Sequence, residues 1–152
     1  MFKNVTVDNL KIPDKQNMFN CVSAVCAFEN FVLTHSDKLD LHNLDFSHTK
    51  MVSNSIFYNL HADTIVLPLF GDNYDKLFTP LNNSDNIDIS IRHIKNAGDN
   101  VDKIKAEISQ LYKLMLAQYY DSGIIEFDDS TSPYEGLHEL LDMELSELII
   151  DK

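Results

Sequence analysis

Residues 99–123, DNVDKIKAEISQLYKLMLAQYYDSG, decide the fold that this sequence predicts. Successive residues of an α-helix lie about 100° apart, and at that spacing the apolar residues of the stretch form one stripe. The stripe contains Val101, Ile104, Ile108, Leu111, Tyr112, Met115, Leu116 and Tyr119. Gly123 is suited to end the helix. We therefore predict a central helix at about 99–121, with Glu107 and Gln118 on its solvent side and its C-terminal half deepest in the core.

Three further helices are predicted by the same spacing of apolar residues. They cover 14–35, 49–60 and 133–150, and the last begins with Ser-Pro-Tyr-Glu, a capping box with proline at the first helical position. Residues 87–97 are ambiguous, because their isoleucines fit both a strand and a helix. We favour a fifth helix there.

Short strands are predicted between these helices. Alternating or continuous apolar residues indicate strands within 2–10, 64–70 and 124–127, and a strand or an extended loop at 36–48. We find no internal repeat. The predicted fold class is α+β and mainly helical, with four to five helices around the long central helix and a small sheet of short strands. A single domain should cover residues 1–152.

Composition limits the classes of partner. The chain has a formal net charge of −12, and its cations are eleven lysines and one arginine, Arg92. Direct binding of nucleic acid needs clustered cations, which the sequence lacks. No apolar run approaches the ~20 residues of a membrane span, and the N-terminus does not resemble a signal peptide. We expect a cytoplasmic protein whose acidic surface suits protein partners.

One stretch invites a metal hypothesis. Histidine and aspartate alternate between residues 35 and 63, and such pairs hold divalent metals in hydrolases. Glu29 lies on the apolar face of the predicted helix 14–35, where a carboxylate is a metal ligand, a catalytic acid or half of an ion pair. The weak candidates are Glu29, His35, Asp37, His42, His48 and His61. Because 17 of the 152 residues are aspartate, chance alone gives similar pairs, so we predict no metal and no cofactor.

Catalytic motifs are missing. With four glycines, the chain has no phosphate-binding loop and no nucleophile elbow. Cys21 and Cys26 are predicted to be buried, reduced thiols, because they lie about 140° apart on one helix. The sequence therefore indicates a non-enzyme.

The leading hypothesis is a structural or assembly protein that acts through protein–protein contacts. One arginine beside fourteen asparagines reflects an AT-rich coding sequence, common among phages, which favours a virion component of the capsid, neck or tail. Its partners would be other proteins or copies of itself, in the host cytoplasm and in the particle. The alternative is a small acidic inhibitor or adaptor that binds a host protein, of the anti-defence type. A metal-dependent hydrolase is the third hypothesis.

Overall fold

The computed structural model of the protein describes residues 6–7, 23–24, 32–33, 38–47, 51–52, 56–70, 76–80 and 86–152. Eight short strands lie in these ranges: β1 Thr6–Val7, β2 Ser23–Ala24, β3 Val32–Leu33, β4 Lys38–Asp40, β5 Met51–Val52, β6 Thr64–Val66, β7 His93–Lys95 and β8 Ile149–Ile150. The same ranges contain a 3-10 turn, Gly98–Asn100, and two α-helices, α1 Val101–Asp121 and α2 Pro133–Glu147.

The strands of the described chain pair in parallel. The main sheet has four strands in the order β4-β6-β7-β8, and two smaller pairs join β1 to β3 and β2 to β5. One row across the main sheet consists of Leu39, Ile65, Ile94 and Ile150. The first three of these are fully buried, so this row forms the inner face of the sheet against the core.

Parallel pairing follows from a chain that returns to the same place at nearly regular intervals. Lys38 pairs with Thr64 and Thr64 pairs with His93, at offsets of 26 and 29 residues. Thr6 and Val32 repeat the offset of 26 residues in a smaller pair. Stacked coils of this kind are the architecture of solenoid proteins. Sequence comparison within the chain misses them, because the coils share burial at equivalent positions and not residue identity.

The predicted arrangement of four to five helices around a central helix is wrong. In the described residues, 14–35 contains β2 and β3, and 49–60 contains β5 and a turn at 56–59. The rest of both ranges lies outside the described residues. Apolar residues at helical spacing satisfied the pattern for 14–35, but pairing with neighbouring coils places its described residues in strands, which shows that tertiary context overrides local preference.

Residues 87–97 are extended and end in β7, so the predicted fifth helix is also wrong. Ile87, Ile89 and Ile91 are buried, whereas Asp88 and Ser90 between them are exposed. This is the two-residue period of a strand, and β-branched isoleucine favours it. The predicted strands at 2–10, 36–48 and 64–70 contain β1, β4 and β6. Residues 124–127 are irregular and form no strand.

Both helices of the second half were predicted, with small errors at their ends. The helix predicted at 99–121 is α1, and the one predicted at 133–150 is α2, which stops at Glu147 because the chain then joins the sheet as β8. The backbone N–H of Glu135 donates a hydrogen bond to the Ser132 hydroxyl at 3.2 Å, so the predicted cap is present. Among the described residues, neither helix is long and apolar enough to cross a bilayer.

Burial along α1 runs opposite to the prediction. Ile104 and Ile108, in its first half, are fully buried, while Met115 and Leu116 are slightly exposed. The first half packs into the core formed by the stacked coils. The second half lies against α2, whose leucines are themselves only partly buried. The most deeply buried part of α1 is therefore the part nearest the sheet.

Candidate interaction surface

Most of the metal-ligand candidates fall where the structure gives no description. Glu29, His35, Asp37 and His48 lie outside the described residues, as do Cys21 and Cys26. His42 and His61 are the two candidates that can be placed.

His42 follows β4 and belongs to a small surface group of ions. Its Nδ1 lies 2.5 Å from the Asp40 carboxylate, and the Lys38 ammonium lies 2.7 Å from the same carboxylate. Partial burial raises the pKa of Asp40, but the hydrogen bonds from Lys38 and His42 outweigh it and lower the pKa to about 2. Asp40 is thus held as an anion by its two neighbours along the chain, which explains the group as part of the structure.

His61 lies in a different place and has a different partner. Its Nε2 is 3.2 Å from the Asp88 carboxylate, and Asp63, the partner suggested by the sequence, lies 3.7 Å from the Arg92 guanidinium instead. Within the described residues, no three histidine, cysteine, aspartate or glutamate side chains come together as metal ligands do. The structure therefore does not bring His42 and His61 into one site.

Three side chains of α1 have a role that the helical pattern did not reveal. Glu107, predicted to face solvent, is only 9% exposed. Its carboxylate accepts hydrogen bonds from the backbone N–H groups of Leu77, Phe78 and Thr79, at 3.3, 2.6 and 2.8 Å. The carboxylate therefore satisfies irregular backbone that no strand or helix pairs.

Gln118 and Tyr112 act in the same way on the segment before β7. The Gln118 side-chain oxygen accepts from the Ile87 N–H at 2.9 Å. The Tyr112 hydroxyl donates to the Ile91 carbonyl at 2.8 Å and accepts from its N–H at 3.4 Å. The polar residues of α1 therefore bind the coils beside it, so its face opposite the apolar stripe is not simply a solvent face.

Negative charge is concentrated at the end of the chain. Residues 122–152, which we name the C-terminal layer, contain nine of the 24 acidic residues but only one of the twelve lysine and arginine residues. The layer therefore carries a formal charge of −8 out of −12. The nine acids are Glu126, Asp128, Asp129, Glu135, Glu139, Asp142, Glu144, Glu147 and Asp151, and each is exposed.

Exposed apolar side chains occur in the same layer. Six large hydrophobic side chains are exposed among the described residues, and four of them are Ile124, Tyr134, Met143 and Ile149. Met143 is 65% exposed on α2. Glu139 and Glu147 lie four residues to either side of it, and residues four apart share one side of a helix. We name Glu139, Met143 and Glu147 the acidic–apolar ridge.

A cleft of about 300 Å³ opens beside the ridge, between α1, α2 and the segment before β7. Asp88, Glu144 and Glu147 contribute carboxylates to its wall, and Tyr119 contributes a phenol. Burial raises the pKa of Tyr119, and the carboxylates of Asp88 and Glu144 raise it further. The shift indicates a negative electrostatic potential in the cleft.

A larger groove, about 740 Å³, runs along α1 away from the C-terminal layer. Glu107 lies in its wall, but that carboxylate already binds backbone N–H groups. The apolar part of the wall includes Pro80, Ile87, Leu111 and Leu114. Because the chain on both sides of residues 76–80 lies outside the described residues, we assign no ligand to this groove.

No family model, no curated protein and no solved structure matches the chain. The surface itself is therefore the basis for a proposal about function.

Proposed function

We propose that this protein binds other proteins through its C-terminal layer and is a structural or assembly component, not an enzyme. One observation carries the proposal: the layer combines a charge of −8 with four of the six exposed large hydrophobic side chains of the described chain. Exposed apolar side chains rimmed by polar residues are typical of protein–protein interfaces. Stacked parallel coils also suit this role, because solenoid proteins offer extended binding surfaces.

Site-directed photo-cross-linking tests the proposal. A photoreactive residue at Met143 should give covalent adducts heavier than the 17.4 kDa chain in cells that encode the protein. The matched control carries the same residue at Leu69, which is 53% exposed but lies outside the layer. Adducts at position 143 and none at 69 support the proposal. Equal adducts at both positions, or none at 143, would refute it.

The more specific form of the proposal is a component of a phage or virus particle. The composition supports it, since one arginine beside fourteen asparagines indicates an AT-rich genome. Quantitative mass spectrometry of purified particles should then find the chain at a constant ratio to the major capsid protein. If the chain is missing from the particles while position 143 still cross-links to a host protein, the inhibitor or adaptor hypothesis replaces the virion hypothesis.

A further inference from the structure

The distribution of charge on α2 opposes the stability of that helix. Glu144 and Glu147 lie near its C-terminal end, and its last turn contains no basic residue. The carbonyl groups there form the negative end of the helix dipole, which favours cations and disfavours carboxylates. Glu135 and Glu139 are also four residues apart on one side, where like charges destabilise a helix. The folded chain alone gives no reason for this arrangement.

The acids of the ridge are also unpaired within the described chain. Neither Glu139 nor Glu147 forms an ion pair with a described lysine, arginine or histidine. The one cation of the C-terminal layer is Lys152, the last residue. Met143 lies between the two glutamates with 65% of its surface exposed. A flexible, polarisable methionine is well suited to contact an apolar residue of a partner.

We propose that the acidic–apolar ridge binds a basic amphipathic helix of a partner protein. The inference rests on the proposed function and names the chemistry of the partner. Such a helix would place an apolar residue on Met143 and a lysine or arginine four residues to each side, facing Glu139 and Glu147. Packing of helix against helix at 8–10 Å between axes brings side chains at this spacing into contact. The negative cleft beside Glu147 would receive a further cation.

A second copy of this chain fits the ridge less well. Its described helix with the most lysines is α1, where Lys105 and Lys113 are exposed and lie eight residues apart. Ser109 lies midway between them, where the ridge requires an apolar residue. The charges of α1 therefore match the ridge, but the contact with Met143 would be missing.

A model peptide tests the inference with the intact protein. The probe is a fluorescein-labelled helical peptide of lysine and leucine, in which each leucine of the apolar face is flanked by lysines four residues away. A scrambled isomer has the same composition but no apolar face. We expect fluorescence anisotropy to give binding of the probe at least about tenfold tighter than binding of the isomer, because apolar contact adds to charge attraction. Equal affinities would overturn the inference.

Matched variants separate recognition from general attraction to an acidic protein. Met143→Gln should weaken binding of the probe about tenfold, and Leu69→Gln, at a position 53% exposed, should leave it unchanged. Glu139→Gln with Glu147→Gln should also weaken it about tenfold, more than Asp102→Asn with Asp121→Asn, which removes the same charge from α1. If the control pairs weaken binding as much as the ridge variants, the probe senses only net charge and the inference is wrong.

Failure of this inference can be distinguished from failure of the proposed function. If the probe does not bind but position 143 still cross-links to a protein, the ridge is an interface and its partner is not a basic amphipathic helix. Light scattering supplies the remaining outcome. A dimer of the isolated protein that Met143→Gln dissociates would identify the occupant as a second copy and would overturn the inference.

Discussion

At the scale of single residues, Glu107 illustrates where the pattern of polar and apolar residues misleads. Its position on the helical wheel of α1 predicts exposure, yet it is buried and accepts three backbone N–H groups from residues 77–79. Helical spacing reports which side chains are apolar. It cannot report that irregular backbone from a distant coil lies over the polar side and needs acceptors.

Removal of that acceptor should be costly. Glu107→Ala leaves buried N–H groups unsatisfied, and we expect the free energy of unfolding to fall by about 2–4 kcal/mol. Glu107→Gln keeps one acceptor oxygen and should lose about half as much or less. Urea denaturation measures both changes, with Gln110→Ala, an exposed change on the same helix, as the control within about 0.5 kcal/mol. Equal stability of Glu107→Ala and the control would contradict this role.

Gly136 is a second residue whose role is invisible in the sequence. It is buried in α2, and a Cβ atom built on it would lie 2.4 Å from the Phe127 ring. Phe127 in turn stacks on Tyr120 of α1, with ring centroids 5.7 Å apart. The absence of a side chain at Gly136 therefore allows the segment before α2 to pack against both helices.

Gly136→Ala should consequently destabilise the protein. Glycine to alanine in a helix normally stabilises by about 0.5–1 kcal/mol, but here the clash with Phe127 should reverse the sign and cost about 1–3 kcal/mol. Thermal denaturation of Gly136→Ala, of Phe127→Ala and of the double variant measures the coupling between the two sites. The double variant should be no less stable than Phe127→Ala alone. A stabilised single variant would mean that the ring moves aside without loss.

At the scale of elements, the sequence predicts the second half of the chain well and the first half poorly. Both α1 and α2 combine an apolar stripe with a marked end, and such signals are local. The coils before them contain strands of two or three residues, too short for a period to decide between strand and helix. Their pairing partners lie 26 to 29 residues away, and no local pattern contains that contact.

The charges of α2 give a prediction of opposite signs at its two ends. Glu147→Lys places a cation near the C-terminal end of the helix and should raise the free energy of unfolding by about 0.3–1 kcal/mol. Glu135→Lys places one in the first turn and should lower it by a similar amount. Chemical denaturation at low ionic strength measures both, and added salt should reduce both differences. Destabilisation by Glu147→Lys would mean that this carboxylate serves the fold, and the reason to expect a cationic partner would be lost.

At the scale of the whole molecule, the chain divides into a coil stack and an acidic layer. The core lies between the main sheet and α1, and the C-terminal layer covers part of α1 while exposing Met143 and Ile149. The net charge of −12 was evident from the sequence, and so was a preference for protein partners. That preference remains a proposal. The distribution of the charge, −8 within residues 122–152, gains meaning only when the structure shows that every one of these acids is exposed.

The central claim is that the C-terminal layer exists for binding and not for folding, and one double variant tests it directly. Met143→Gln with Ile149→Thr removes two side chains that are 65% and 52% exposed, while glutamine suits a helix and threonine a strand. We expect the melting temperature to change by less than about 3 °C and co-purification of the partner identified by cross-linking to be lost. A variant that melts much earlier, or one that still retains the partner, would contradict the claim.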